Sequence, residues 1–100
     1  MTNINRIGTI YKLPTEHFTI GVDFSEWLAT DDTVASGTST IAYGVTDTSS
    51  SMISDVTDDN DDHVTFTLYG GTATYVYEIT VTATTAAADV FVAQLTCIVN

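Results

Sequence analysis

The sequence alternates apolar and polar residues with a period of two along most of its length. In "EHFTIGVDF", Phe18, Ile20 and Val22 share one face, and the same alternation recurs in "TSTIAYGV", "HVTFTLYG" and "TATYVYEITVTAT". Successive side chains of a β-strand point to opposite faces, so this period is typical of half-buried strands. Threonine is frequent, and its branched Cβ suits a pleated surface and disfavours helix. The pattern predicts an all-β protein.

The alternating segments predict a single domain over residues 1–100, built from about seven short strands. The first strand is predicted over residues 9–12, before Pro14, and the last lies in "DVFVAQLTCIVN". Strands with one apolar face and no convincing helix favour an antiparallel β-sandwich. A small barrel would show the same alternation, so both architectures stay open.

The charge balance restricts the classes of partner. Thirteen acidic residues stand against two basic residues, Arg6 and Lys12, for a formal net charge of −11. Such a chain repels phosphate groups, so we expect neither nucleic acid nor an anionic membrane as a partner. Cys97 is the single cysteine, which excludes a disulfide within the chain. With no signal peptide or long apolar run in the sequence, we expect assembly in a cytoplasm.

The acidic stretch after residue 57 is the best metal candidate in the sequence. Asp58, Asn60 and Asp62 reproduce the first three alternate ligands of an EF-hand loop. The pattern then fails, because His63 replaces the required glycine and Tyr69 replaces the bidentate glutamate. We interpret the stretch as a solvated turn and expect no metal and no cofactor.

The sequence contains no convincing catalytic set. His17 and His63 are far apart in sequence, and no Gly-x-Ser-x-Gly elbow occurs. Cys97 falls on the apolar face of the last predicted strand, where a cysteine usually acts as a small hydrophobic residue. We therefore expect no enzyme activity.

The segment "VDFSEWLATDDTVA" combines the single tryptophan with several acids. Its "SEWL" predicts one helical turn after a strand that ends at Phe24, with Ser25 as a candidate N-cap. Trp27 and Leu28 would then fold back over the open end of the core. We interpret Phe24, Trp27 and Leu28 as a structural plug. The carboxylates are assigned to the outward face of a strand, to the turn surface and to a loop, not to one converging site: Asp23, Glu26, Asp31 and Asp32.

Several segments, taken in order, carry a resemblance to a known family. Lys12-x-Pro14, "FTIGVDFSEWL", "TDDTVAS" and "LYGGTATYVYEITVTATT" together resemble small virion proteins of tailed phages, which are immunoglobulin-like domains encoded among head and head-to-tail genes. The chain departs from the family pattern in the acidic insert from Asp55 to Asp62 and in the alanines 86–88. The resemblance implies an immunoglobulin-like antiparallel sandwich of about seven strands and a structural role in the virion without catalysis.

From this resemblance we expect a capsid decoration or cement protein, a homo-oligomer bound in many copies to the phage major capsid protein or to other virion proteins. The alternative is a tail, neck or fibre-associated module of the same fold. A third hypothesis is a carbohydrate-binding or adhesion module that uses Tyr43, Tyr69 or Trp27 as stacking platforms.

The first residues of the chain are a candidate docking arm. Residues 1–8 hold Ile4, Arg6 and Ile7 ahead of the predicted body of the domain. The alternative interpretation of this segment is a frayed terminus.

Overall fold

The computed structural model describes residues 2–58 and 62–100, with side chains described from residue 8 onward. The described residues form eight strands and two short helical turns, and the all-β prediction is confirmed. The elements are β1 Thr2–Lys12, β2 Phe18–Asp23, a 3-10 helix Ser25–Trp27, β3 Val34–Tyr43, β4 Thr46–Asp47, α1 Ser49–Met52, β5 Ile53–Asp58, β6 His63–Leu68, β7 Val76–Thr85 and β8 Val90–Val99. Neither helical turn is long and apolar enough to cross a membrane.

The strands form two sheets that pack as a sandwich. One sheet has five strands in the order β1-β8-β7-β3-β4, and the other has three in the order β2-β6-β5. The sandwich prediction is confirmed, and the strand pairs are antiparallel as predicted except for one, because β1 pairs parallel with β8. A parallel pair needs a long connection, and here the whole domain between the two strands supplies it. Periodicity reports which face a residue occupies and carries no information on pairing direction.

Two segments differ from the sequence prediction. The first strand spans Thr2–Lys12, longer than the predicted residues 9–12, and its pairing with β8 shifts register between Arg6 and Gly8. Backbone pairing with β8 holds this segment in a strand although "TNINRIG" lacks clean alternation. The segment after β3 forms the two-residue β4 and the four-residue α1 before β5 begins, which raises the strand number to eight within the described residues.

The core lies between the two sheets. Fully buried side chains from both sheets fill it: Val22, Phe24, Val34, Ile41, Met52, Val64, Phe66, Leu68, Ile79, Val81, Ala83, Ala93, Cys97 and Val99. The sheets approach closely at Gly37, where an added Cβ would come within 2.6 Å of a Val64 methyl group. Glycine at this position allows β3 and β6 to cross without a clash.

The strand directions define two ends of the molecule. Strands of ten residues such as β7 and β8 are about 33 Å long, so they run along the long dimension of a molecule measuring 42 × 22 × 20 Å. We call the end holding the β3–β4 and β6–β7 connections the tyrosine end. The opposite end holds the 3-10 helix, the β5–β6 connection and the β7–β8 hairpin, and we call it the acidic end.

Candidate docking surfaces

Exposed large apolar side chains collect at and beside the tyrosine end. They are Tyr11, Leu13, Tyr43, Val45, Tyr75 and Val76. The register Tyr11↔Ile98↔Val76 places three apolar residues in one row across β1, β8 and β7. Val45 is fully exposed, at 105% of the reference area. A concentration of exposed apolar side chains on one part of a monomer marks an interaction surface.

Three tyrosines form the centre of this end. The rings of Tyr43 and Tyr75 are stacked, with centroids 4.2 Å apart and planes 21° apart. Tyr77 lies 5.8 Å from Tyr43 and 6.1 Å from Tyr75, centroid to centroid. A concave site of about 330 Å³ opens beside them, and Met52 and Thr72 are part of its lining. The site offers aromatic and thioether surface together with hydroxyl groups.

The β6–β7 connection, which carries Tyr75, has a strained backbone. Thr74 has φ of 74°, which a β-branched residue rarely adopts. Its N–H donates to the carbonyl of Val99 at 2.8 Å, and the N–H of Val99 donates to the carbonyl of Tyr75 at 3.0 Å. The backbone N–H of Thr72 donates to the Tyr77 hydroxyl at 3.0 Å. Such strain persists only where surrounding contacts determine the conformation, so this turn is held in a fixed shape.

Hydrogen bonds at the junction of β4 and α1 also hold the backbone of the tyrosine end in place. A carboxylate oxygen of Asp47 accepts hydrogen bonds from the Ser49 hydroxyl at 2.6 Å and from the Ser49 N–H at 2.9 Å. These two bonds favour the charged form and lower the pKa of Asp47. The Ser49 hydroxyl also accepts the N–H of Ile41 at 2.9 Å, which ties the corner to β3.

Acidic residues collect at the opposite end. Those described there are Asp23, Glu26, Asp31, Asp32, Asp58, Asp62 and Asp89. Of the other described carboxylates, Glu16 and Asp47 lie at the tyrosine end, Glu78 lies near it opposite Ala42, and Asp55 lies on β5. The two ends of the molecule therefore differ in surface chemistry. Exposed apolar side chains concentrate at the tyrosine end, and most of the described carboxylates lie at the acidic end.

One cluster at the acidic end was not predicted. Asp23, Asp62 and His63 each offer a ligand atom within 4.8 Å of the others. The Nδ1 of His63 lies 2.5 Å from a carboxylate oxygen of Asp62, and its Nε2 lies 4.0 Å from Asp23. The antiparallel register Asp23↔His63 brings them together, and only knowledge of that pairing would have indicated it. Carboxylate and imidazole groups can ligate a divalent cation, but Asp62 and His63 already bind each other.

The predicted metal candidates are only partly described. Asn60 lies outside the described residues. Asp58 ends β5, and Asp62 belongs to the cluster above, where its carbonyl also accepts the N–H of Phe24 at 2.7 Å. Of these two residues, only Asp62 belongs to the group of possible metal ligands found among the described residues.

The predicted plug residues lie in the 3-10 helix or directly beside it, and they pack in or against the core. Phe24 is fully buried, and Trp27 and Leu28 are partly buried against the core. The rings of Phe24 and Trp27 meet edge to face at 4.9 Å, and Phe91 lies 6.2 Å from Trp27. The 3-10 helix begins at Ser25, so its N-cap position is Phe24 and not the predicted Ser25. The side chain of Asp23 accepts the N–H of Ser25 at 2.8 Å. The contribution of Trp27 to stability stays a prediction.

The carboxylates near Trp27 bind the local backbone. One oxygen of Asp32 accepts the N–H groups of Thr33 at 2.9 Å and Ala87 at 3.2 Å, joining two loops of the acidic end. Asp31 occupies a turn with φ of 64°. These roles belong to turns and do not require a substrate.

The three aromatic residues considered as a glycan platform lie apart. Tyr43 and Tyr69 belong to the tyrosine end, where the Tyr69 hydroxyl donates to the carbonyl of Ser50 at 3.3 Å. Trp27 lies at the acidic end. They do not form one stacking surface.

The predicted docking arm lies in β1. The register pairs Ile4 with Val92 and Arg6 with Gln94, so the backbone of this segment is part of the five-stranded sheet. Contact of Ile4, Arg6 or Ile7 with another virion protein stays a prediction.

No curated protein matches the chain. A family model described as podophage GP4 fiber-tail adaptor protein gp77 matches residues 12–98, and the chain therefore belongs to this family of phage virion structural proteins.

Proposed function

We propose that the chain is a non-enzymatic adaptor in a podophage virion, placed between the tail and a fibre. The family description names a fiber-tail adaptor. It favours the tail- and fibre-associated alternative over the capsid decoration role expected from the sequence. The partners of this proposal are therefore other virion proteins of the tail and the fibre.

The observation that carries the proposal is the chemical difference between the two ends. An adaptor must bind two different partners at once, and a molecule 42 Å long with unlike ends can do so without overlap. Apolar side chains at the tyrosine end favour a desolvated, well-packed contact. Carboxylates at the acidic end favour a partner with a basic patch, through a contact that salt weakens.

The tyrosine end has the features of a preformed binding surface. Tyr43 and Tyr75 supply large apolar area with few rotatable bonds, and tyrosine is enriched among the residues that dominate binding energy. Backbone hydrogen bonds around Thr74 already hold Tyr75 in position in the free protein. Preorganisation of this kind lowers the entropy lost on binding.

We also propose that the sandwich is immunoglobulin-like. The sheet β2-β6-β5 corresponds in order to strands B-E-D of that fold, and β8-β7-β3-β4 corresponds to G-F-C-C′. The first strand joins the β8 edge in parallel and so differs from the constant-type arrangement. The candidate docking segment, residues 1–8, coincides with this strand from Thr2 onward.

The two-ended adaptor can be tested with one variant at each end. We would measure binding of the purified chain to fibreless tails and to purified fibres of the same phage. Val45→Asp should abolish binding to one partner, because it places a charge in the apolar contact. Glu26→Lys should weaken binding to the other partner, in a way that depends on salt. Both side chains are exposed, so neither change should alter the melting temperature.

The matched control is Thr19→Lys, which adds a positive charge at an exposed position of β2, on the outward face of the three-stranded sheet. It should leave both affinities unchanged. If the chain binds neither tails nor fibres, or if both end variants weaken the same partner equally, the two-ended adaptor is wrong.

A further inference from the structure

The outward face of the five-stranded sheet is the larger of the two sheet faces that point towards solvent. On β3, β7 and β8 the residues that alternate with the buried ones form a surface rich in β-branched side chains, and we call it the threonine face. Its threonines are Thr38, Thr40, Thr80, Thr82, Thr84 and Thr96. Val90, Val92, Gln94 and Ile98 continue it on β8.

This face is almost free of charge. Glu78 is the one acidic residue on it among the side chains that the structure describes, and Asp47 stands at its rim, opposite Ala42. The whole chain carries thirteen acids. A solvent-facing sheet surface in so acidic a chain would be expected to share the charge, and depletion of charge is the mark of an interface centre.

We propose that the threonine face binds a second copy of the chain, face to face and with antiparallel strands. Counted together with β1, which pairs with β8, the sheet has four long strands about 4.8 Å apart, and its outward face spans roughly 19 by 33 Å, or about 600 Å². Two such faces bury about 1,200 Å², which reaches the size of a specific interface. The end of the sandwich, with a cross-section of 22 by 20 Å, offers less area to a second copy.

The chemistry of the face suits a copy of itself. A symmetric dimer needs a surface that is complementary to itself. Each threonine hydroxyl can both donate and accept a hydrogen bond, so a threonine row such as Thr38↔Thr82 and Thr40↔Thr80 can pair with an identical row. The branched methyl groups fill the remaining space, as between two stacked sheets.

Electrostatics selects the antiparallel arrangement. With parallel strands, the two acidic ends would lie side by side, and the Glu78 side chains of the two copies would face each other. With antiparallel strands about a twofold axis near Thr82, the acidic ends lie at opposite ends of the dimer. Each acidic end then lies beside the tyrosine end of the other copy, so the dimer offers both contacts of the proposed adaptor at each of its ends. Glu78 lies four residues from Thr82 on β7, so the two carboxylates would be roughly 25 Å apart, well beyond the Debye length at physiological salt.

The test is the molar mass in solution as a function of concentration, by light scattering and sedimentation. We expect a species of twice the 10.7 kDa of the chain, stabilised as NaCl rises from roughly 50 to 500 mM because salt screens the repulsion between acidic copies. X-ray scattering should give a particle hardly longer than the monomer. A monomer at every concentration up to roughly 500 µM, or a dimer about twice as long as the monomer, would overturn the proposal.

Two variants locate the contact. Thr82→Lys at the centre of the face should weaken dimerisation by at least about 100-fold, because it buries an unpaired charge. Gln94→Lys on the neighbouring strand should also weaken dimerisation, and it replaces Thr82→Lys as the test if that variant fails to fold. Thr19→Lys adds the same charge on the other sheet and should leave the dimer intact. Dimerisation that survives both face variants, or that Thr19→Lys disrupts equally, places the contact elsewhere.

Discussion

The ammonium group of Lys12, at the end of β1, donates a hydrogen bond to the backbone carbonyl of Gly70, 58 residues further along the chain. It also donates to the carbonyl of Leu13 at 2.7 Å. Lys12 is only 2% exposed although it is one of two basic residues in the chain. A buried cation requires such partners. The contact joins the edge of the five-stranded sheet to the β6–β7 connection at the tyrosine end.

Replacing Lys12 with Met should lower the free energy of unfolding by about 2–4 kcal/mol, because two carbonyls lose their charged donor inside the protein. Chemical denaturation measures the change. Thr9→Ala, at an exposed position of the same strand, is the control and should change stability by less than about 0.5 kcal/mol. An unchanged midpoint in Lys12→Met would mean that these hydrogen bonds contribute nothing net.

Replacing Gly71 with Ala should destabilise the protein by more than about 2 kcal/mol. The new Cβ would come within 2.9 Å of a Val99 methyl group and 3.0 Å of the Met52 terminal methyl, at a backbone φ of 97°. Gly8→Ala is the matched control, since a Cβ added at Gly8 would have nothing within 4 Å. Thermal melts of the two variants should differ clearly, and equal melts would show that the β6–β7 turn adapts freely.

Replacing Trp27 with Ala should cost about 3 kcal/mol, at the low end of the range for large aromatic side chains because Trp27 is only partly buried. The edge-to-face contact with Phe24 and the contact with Phe91 are lost together. Glu26→Ala changes an exposed neighbour in the same turn and should have little effect. A melting temperature unchanged by Trp27→Ala would show that the plug interpretation is wrong.

Stability should fall in alkaline solution partly because of Cys97. Burial raises the pKa of the Cys97 thiol above its ordinary value of 9.0, and the nearby Lys12 charge opposes this in part. Because the folded pKa is raised, the stabilisation is complete below the ordinary value and is lost as the pH rises through the folded pKa. Denaturation between about pH 7 and pH 11 should show a steeper loss for the native chain than for Cys97→Ala. Equal slopes would show that the thiol does not contribute.

Deleting residues 2–8 separates the two interpretations of the N-terminal segment. Its pairing with β8, from Thr2↔Val90 to Gly8↔Leu95, predicts a loss of several kcal/mol in unfolding free energy, because a row of backbone hydrogen bonds disappears. A frayed terminus would leave stability unchanged. A docking role would appear as lost partner binding in a point variant, Arg6→Ala, that melts like the native chain.

The sequence alone determined the faces of the strands. Alternation in "HVTFTLYG" assigned Val64, Phe66 and Leu68 to the core, and all three are fully buried. The helical turn at "SEWL" followed from local signals and is present as the 3-10 helix. These features depend on contacts between residues close in sequence or on the burial of one face, and a periodic pattern records both.

Tertiary structure decided which strands pair and what the pairing brings together. The parallel addition of β1 to β8, the burial of Lys12 beside Gly70 and the meeting of Asp23 with His63 all join residues distant in sequence. The stacked pair likewise joins distant parts of the chain, since Tyr43 ends β3 and Tyr75 directly precedes β7. Alternation fixes a side chain's face but leaves strand order and register open, and both docking ends and the threonine face depend on that order.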